Sequence, residues 1–176
     1  MTRDGIAIGR VEEADLPALH ALIERAYRGD TARAGWTHEA DLLGGQRTDP
    51  EALAAMLADP GQRLLGARGA AGLVGCVALT RVAPDRCYLG LLTVEPTLQA
   101  AGLGRRLLAE AEAEARRWGA TVVEMTVIAR RAELVAWYER RGYGPTGERR
   151  PFPMEDPRFG LPKTDDLEFL VLEKAL

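Results

Sequence analysis

The sequence predicts one mixed α/β domain, and three observations lead there. Short apolar and β-branched runs, such as "TVVEMTVI" at 121–128, alternate with helix-length amphipathic runs, such as "LGRRLLAEAEAEARRWG" at 103–119. The small residues at 69–72 stand between two apolar runs and read as a hairpin turn. Other strands are separated by whole helices and therefore need crossover connections. Neither a repeat nor a linker divides the 176 residues, so 1–176 is read as a single domain with one core.

In chain order, "IAIGRV" at 6–11 alternates apolar with small or polar residues and reads as a first strand. A helix follows, with Asp15 as its N-cap, Pro17 in its first turn and a stripe of Leu16, Leu19, Leu22, Ile23 and Tyr27. Residues 28–49 form a long polar segment, read as a loop; loops of that length in a compact domain are usually functional or mobile. A short helix at 49–59 opens with Asp49 before Pro50 and closes at Pro60 and Gly61. Three strands come next, at 62–68, 72–82 and 87–94. The strong helix from 103 ends just before Gly119, the buried strand at 121–128 follows, and "AELVAWYERRG" is a helix ending at Gly142. The tail carries "PTGERRPFP" and a last strand within "LEFLVLEKAL".

Composition narrows the function. Net charge is −3, with 23 basic against 26 acidic residues, which argues against a general nucleic-acid binder. Arg140, Arg141, Arg149 and Arg150 form a local basic cluster, either a solvated face or a small anion site. Cys76 and Cys87 show no metal-ligand spacing, so no metal is expected. They would pair only if their strands lie side by side. The opening residues contain no apolar stretch long enough for a secretory leader, and no segment is apolar enough to span a membrane. The expectation is a cytoplasmic protein with free thiols.

The stretch "QAAGLGRRLL" is the most informative. A strand ends near Val94, Pro96 stops it, and a helix opens near Gly102. The first turn of a helix has amide groups without internal partners at the positive end of the dipole. With Gly102 and Gly104 bare, an anion such as a phosphate can sit on those amides; a turn kept only for tight packing is the other reading. A dinucleotide fingerprint would need a third glycine, and Leu107 stands there. A Walker A loop would need Lys-Ser/Thr, and Arg105 follows Gly104.

The pattern that fits is Gln/Arg-x-x-Gly-x-Gly/Ala, here Gln99, Gly102 and Gly104. With it the chain resembles the GNAT N-acetyltransferase superfamily over nearly its whole length. "LLTV" followed by "EPTLQAAGLGRRLL" is similar to that family's acetyl-CoA motif. "RAELVAWYERRGY" resembles its second signature, with Tyr138 four residues before Gly142 and the aromatic Tyr143 next. One departure is Arg131, which stands where the family often has Asn.

The resemblance implies a mixed, mostly antiparallel sheet flanked by helices and splayed between the fourth strand (87–94) and the fifth (121–128). It implies acetyl transfer from acetyl-CoA to a primary amine, a small molecule or a peptide amino terminus, by direct attack in a ternary complex. The cofactor would lie along Leu92, Thr93 and Val94, with its phosphates on Gln99, Ala100, Ala101, Gly102, Leu103, Gly104 and Arg105 and a contact from Arg131. The Leu92 N–H would face the acetyl oxygen as oxyanion donor. Tyr138 would be the general acid for the leaving thiolate. The base stays open: Glu124 shares a strand face with Thr126, while His38 and Glu39 on the long segment are rivals. Trp36, His38 and Glu39 are candidates for the acceptor side. The proline-rich stretch "GERRPFPMEDPRFGLPK" reads as a stiff loop lining the acceptor cleft from the other side. Many members of the family pair as dimers, and this chain is expected to be a monomer or homodimer. A second reading, from a different class, is a module that binds acyl-CoA without turnover; Tyr138 favours the enzyme.

Overall fold

In the computed structural model, which describes residues 4–99 and 101–176, the chain opens with strand β1 (Ala7–Arg10) and helix α1 (Leu16–Tyr27). Leu19, Leu22, Ile23 and Ala26 are the buried face of α1. Asp15 precedes it, but its carboxylate turns back to the Glu12 amide at 2.8 Å and to Arg68, so it braces the entry turn rather than the helix. Residues expected to be one long loop contain a single helical turn, α2 (Gly29–Ala32), and a two-residue strand, β2 (Leu43–Gly44). Helix α3 (Pro50–Ala58) is capped by the Asp49 carboxylate, which accepts from the Ala52 amide at 2.7 Å.

Strands β3 (Gln62–Gly69), β4 (Gly72–Ala83) and β5 (Arg86–Val94) form a meander. Helix α4 (Leu103–Arg117), strand β6 (Val122–Ile128) and helix α5 (Ala132–Glu139) follow. Strand β7 (Gly144–Pro151), the two-residue β8 (Leu161–Pro162) and the last strand β9 (Glu168–Ala175) complete the chain.

The main sheet has seven strands in the order β1-β3-β4-β5-β6-β9-β7. Only the β5–β6 pair is parallel, as a helical crossover requires. That pair is short. Arg86, Cys87 and Tyr88 pair with Val122, Val123 and Glu124, and beyond them the two strands part. The expected splay is therefore present between the expected strands.

Helix α4 buries Leu103, Leu107, Leu108, Ala111 and Ala115 against one sheet face, a spacing that keeps all five on one side of a helix. Each fully buried leucine contributes about 2 kcal/mol. Helices α1 and α3 cover the other face through Leu19, Ile23 and Leu53. Cys76 and Cys87 are both free and buried; Cys76 lies opposite Thr93 and Cys87 opposite Arg81, so distant rungs separate them. Burial pushes the Cys76 thiol up to about 12.

β2 and β8 pair antiparallel, Leu43 against Pro162 and Gly44 against Leu161. Lys163 adds a backbone bond to the Leu42 carbonyl at 2.8 Å and an ammonium bond to the Ala40 carbonyl at 2.6 Å. The polar segment after α1 and the proline-rich tail are thus fastened to each other. Among the described residues no helix is long and apolar enough to cross a membrane, and no cluster of His, Cys, Asp or Glu could hold a metal ion.

Candidate functional site

The site begins at a fault in β5. Leu91 has φ +52, rare for a residue with a branched side chain, and it lies where the β4–β5 register slips between Cys76 and Ala78. Cys87 and Leu89 pack on the α4 side, Leu91 on the α1 side, and Leu92 and Val94 again on the α4 side. The bulge has flipped the alternation once. It turns Leu92 and Val94 toward the gap where β6 has left, and this end of β5 has no strand partner on that side.

Below that gap stands the start of α4. Gly102 is its N-cap with φ +86, a left-handed conformation that favours glycine. The helix's first internal bond runs from the Arg106 amide to the Gly102 carbonyl at 3.2 Å, and among the described residues no side chain caps the amides before it. At Gly104 a Cβ would stand 3.5 Å from the Trp137 ring and 3.7 Å from Val94, in ordinary contact with both walls.

Helix α5 supplies the facing wall, and its C-terminus explains the Tyr-x-x-x-Gly-Tyr spacing. The Tyr143 amide donates to the Tyr138 carbonyl at 3.2 Å and the Gly142 amide to Glu139 at 3.0 Å, with Gly142 at φ +95. This double bond pattern is a Schellman closure, which needs glycine at that position. The Tyr143 ring meets Tyr138 edge-on at 5.8 Å, and its hydroxyl donates to Glu112 on α4 at 3.0 Å. Tyr138 is thereby held between Tyr143 and Trp137. Burial, then the nearby phenol of Tyr27, raises its pKa, with Tyr88 adding to the rise and Arg131 and Arg141 opposing it. Its hydroxyl has no hydrogen-bond partner among the described residues.

Between these walls lies a cavity of about 580 Å³, within the range of small-molecule sites. Leu92, Thr93 and Val94 form its strand wall, and Leu134, Trp137 and Tyr138 its helix wall. Ala101, Gly102, Gly104 and Arg105 form its floor, joined by Arg140 and Arg141. Those three arginines have no carboxylate within ion-pair distance among the described residues. The Arg141 guanidinium lies 3.6 Å over the Trp137 ring, and its buried Nε has no partner. Burial, with Arg140 and Arg105 nearby, lowers its pKa. The basic cluster seen in the sequence splits: Arg149 and Arg150 lie on β7 and pair with Glu168 and Glu148.

The roof comes from α1 and the segment after it. Tyr27 lines the cavity, and its hydroxyl donates to the Leu92 carbonyl at 2.6 Å. Trp36 and Thr37 cross above. Gln99 holds this crossing down: its Oε1 accepts from the Thr37 amide at 3.2 Å and its Nε2 donates to the Val94 carbonyl at 3.3 Å. Arg131, also lining, donates to the Thr37 hydroxyl and pairs with Glu39 at 3.2 Å.

Not every residue singled out in the sequence reaches the cavity. Glu39 is buried behind it, shared by Arg28 and Arg131; burial alone would raise its carboxyl, but Arg131, Arg47 and Arg28 outweigh that and hold it low. The His38 ring accepts from the Ala40 amide at 3.2 Å and braces the local turn. Leu103 is core, under the floor. Glu124 sits on β6 outside the lining, between Arg86 at 3.5 Å and Arg150 at 3.6 Å. Ala100 lies outside the described residues. Sequence reasoning missed Tyr27, which its spacing places in the core stripe of α1, and Trp137, which reads as packing.

The parting of β5 from β6 after Tyr88 and Glu124 is the splay that the resemblance implied. The family model of the acetyltransferase (GNAT) domain matches residues 37–152. The chain belongs to the GNAT acetyltransferases. It is 33% identical over 133 residues to an IAA acetyltransferase of Azospirillum brasilense, covering 73% of this chain and 78% of that one. Its fold is similar to the ribosomal-protein-alanine N-acetyltransferase of Brucella melitensis, with TM-score 0.72 and 24% identity over 97% of this chain and 99% of the other. It is likewise similar to yncA of Salmonella typhimurium, solved with its cofactor acetyl-CoA, with TM-score 0.71 and 20% identity over 98% and 94%.

Proposed function

We propose that this GNAT domain transfers an acetyl group from acetyl-CoA to a primary amine, with the two substrates bound together. The observation that carries the reading is the end of β5 at Leu92–Val94, which among the described residues has no strand beside it where β6 has parted, set between the start of α4 and Tyr138. The cavity fits an elongated phosphorylated thioester. Arg105, Arg140, Arg141 and the α4 amides take the phosphates, and the Leu92–Val94 backbone takes the amide-bearing arm as an added strand. When bound, the cofactor supplies an activated acyl carbon and a thiol leaving group.

The chain's own groups then do three things. The Leu92 N–H, aimed by the bulge, stabilises charge on the acetyl oxygen; one fixed donor of this kind is worth about 3 kcal/mol of barrier. Tyr138 gives a proton to the departing sulfur. Its raised pKa keeps it protonated and able to donate. The amine's proton leaves toward β6, where the Tyr88 and Thr126 hydroxyls meet at 2.6 Å and Glu124 follows two residues away on the same strand face. Glu124 is the proposed terminal base. The buried free thiols Cys76 and Cys87 fit a reducing cytoplasm.

The test is titration with acetyl-CoA followed by thiol release in the presence of amines. Saturable binding and amine-dependent release are expected. Binding without release for any amine would leave an acyl-CoA-binding module, and no binding at all would overturn the reading.

A further inference from the structure

We propose that the amine acceptor carries an anionic group, in its simplest form the carboxylate of an α-amino acid, and that Arg47 and Arg131 read it. The proposal rests on the acetyl-transfer reading above and names its substrate class.

The walls of the cavity carry Arg105, Arg131, Arg140 and Arg141 and, among the described residues, no Asp or Glu. A polycationic acceptor needs carboxylates to replace its hydration, and none lines this site. Arg105, Arg140 and Arg141 belong to the α4 end. Arg131 stands apart from them, beside Thr37 under the roof.

Around Arg131 the charges do not balance. Glu39 is one carboxylate, paired with Arg28 and Arg131 and also within the field of Arg47. The Glu24 carboxylate is occupied by the amides of Arg47 and Thr48, at 2.8 and 2.9 Å. Arg25 is matched by Glu95 at 2.6 Å and His20 lies 3.9 Å from Glu24. This leaves the side chain of Arg47. Its guanidinium lies 5.0 Å from the Tyr27 ring centroid, and among the described residues it has neither an ion pair nor a hydrogen bond. Among the described residues, Arg28, Arg47 and Arg131 are set here against two carboxylates, Glu24 and Glu39, a surplus of one positive charge.

Tyr27 connects this cation to the chemistry. One end of the side chain is bonded to the Leu92 carbonyl, and its ring lies under Arg47. A guanidinium stacked on a ring keeps its N–H edge free, and that edge matches a carboxylate through two parallel bonds. Tyr27 lines the cavity and touches both Leu92 and Arg47, so the Arg47 guanidinium stands one ring behind the lining. The surplus charge has a second effect. Cations nearby disfavour the ammonium form, so the attacking amine is more readily neutral.

The experiment measures kcat/KM for thiol release with the common α-amino acids, each against its own carboxamide, with spermidine as the polycation probe. Acetyl-CoA affinity is titrated separately. The expected result is at least one amino acid preferred over its carboxamide by about tenfold or more, the worth of a charge-assisted pair. Arg47→Gln brings that ratio close to one, Arg47→Lys restores part of it, and acetyl-CoA affinity is the same in all three proteins. Turnover of carboxamides or spermidine at least as fast as amino acids overturns the proposal and leaves acetyl transfer standing. A ratio that survives Arg47→Gln also overturns it. Absence of release with every probe overturns it too, and the titration then decides the rest: saturable acetyl-CoA binding keeps the cofactor site, and no binding removes both readings.

Discussion

The hydroxyl of Tyr27 donates to the carbonyl of Leu92 at 2.6 Å, so helix α1 holds the bulged end of β5 in place. The carbonyl and the following amide belong to one rigid peptide, and turning the one turns the other. Tyr27 therefore sets how the strand edge is presented. Tyr27→Phe leaves a partly buried carbonyl without its donor and should cost about 1.5 kcal/mol of stability. Urea unfolding should show that loss, and acetyl-CoA affinity should weaken with it. Unchanged affinity would show that the bulge holds its shape alone.

Tyr138→Phe keeps the ring between Trp137 and Tyr143 and removes only the hydroxyl. Turnover should fall about a hundredfold, in the range of general acid–base contributions, while acetyl-CoA affinity stays the same. Steady-state kinetics beside a binding titration separates the two effects. Full turnover would place the acid elsewhere.

Gly102 tests the anion seat. Gly102→Glu puts a carboxylate where the phosphates are proposed to bind and should abolish acetyl-CoA binding. The left-handed φ of +86 makes any side chain costly there, so Gly102→Ala is the needed companion. The alanine variant should lose about 1 kcal/mol of stability yet bind acetyl-CoA measurably. If both variants bind equally, charge at this turn does not matter and the seat is elsewhere.

What the sequence made legible was local. Gly102 and the Tyr138–Gly142–Tyr143 spacing were readable because a helix start and a Schellman closure are each written in a few consecutive residues. Strand periodicity likewise placed Glu124 and Thr126 on one face. Tyr27 was hidden because its spacing on α1 is that of a core residue; the reason it meets Leu92 is a bulge that periodicity does not show. The β2–β8 pairing was hidden too. Two residues on each side carry no pattern, and Leu43 and Pro162 come from opposite ends of the chain. The partners of Glu124, Arg86 on β5 and Arg150 on β7, follow from the sheet order and not from its neighbours in sequence.

Three phenols make stability fall at high pH. Burial raises the pKa of Tyr27, Tyr138 and Tyr143, with Glu112 adding to the rise at Tyr143. In the unfolded chain a phenol releases its proton near pH 10. Below that value both states are protonated and the contribution is constant. Above it the unfolded state loses protons while the folded state still holds them, so the folded state binds more protons and stability declines as pH rises. The melting temperature should be insensitive to these groups from pH 7 to about 9 and drop above about 10. The same direction bears on turnover: Tyr138 stays protonated throughout, so the pH–rate profile should show no loss from this phenol below about pH 10. A descending limb near pH 8 that vanishes in Tyr138→Phe would show that the phenol ionises early and that burial does not control it.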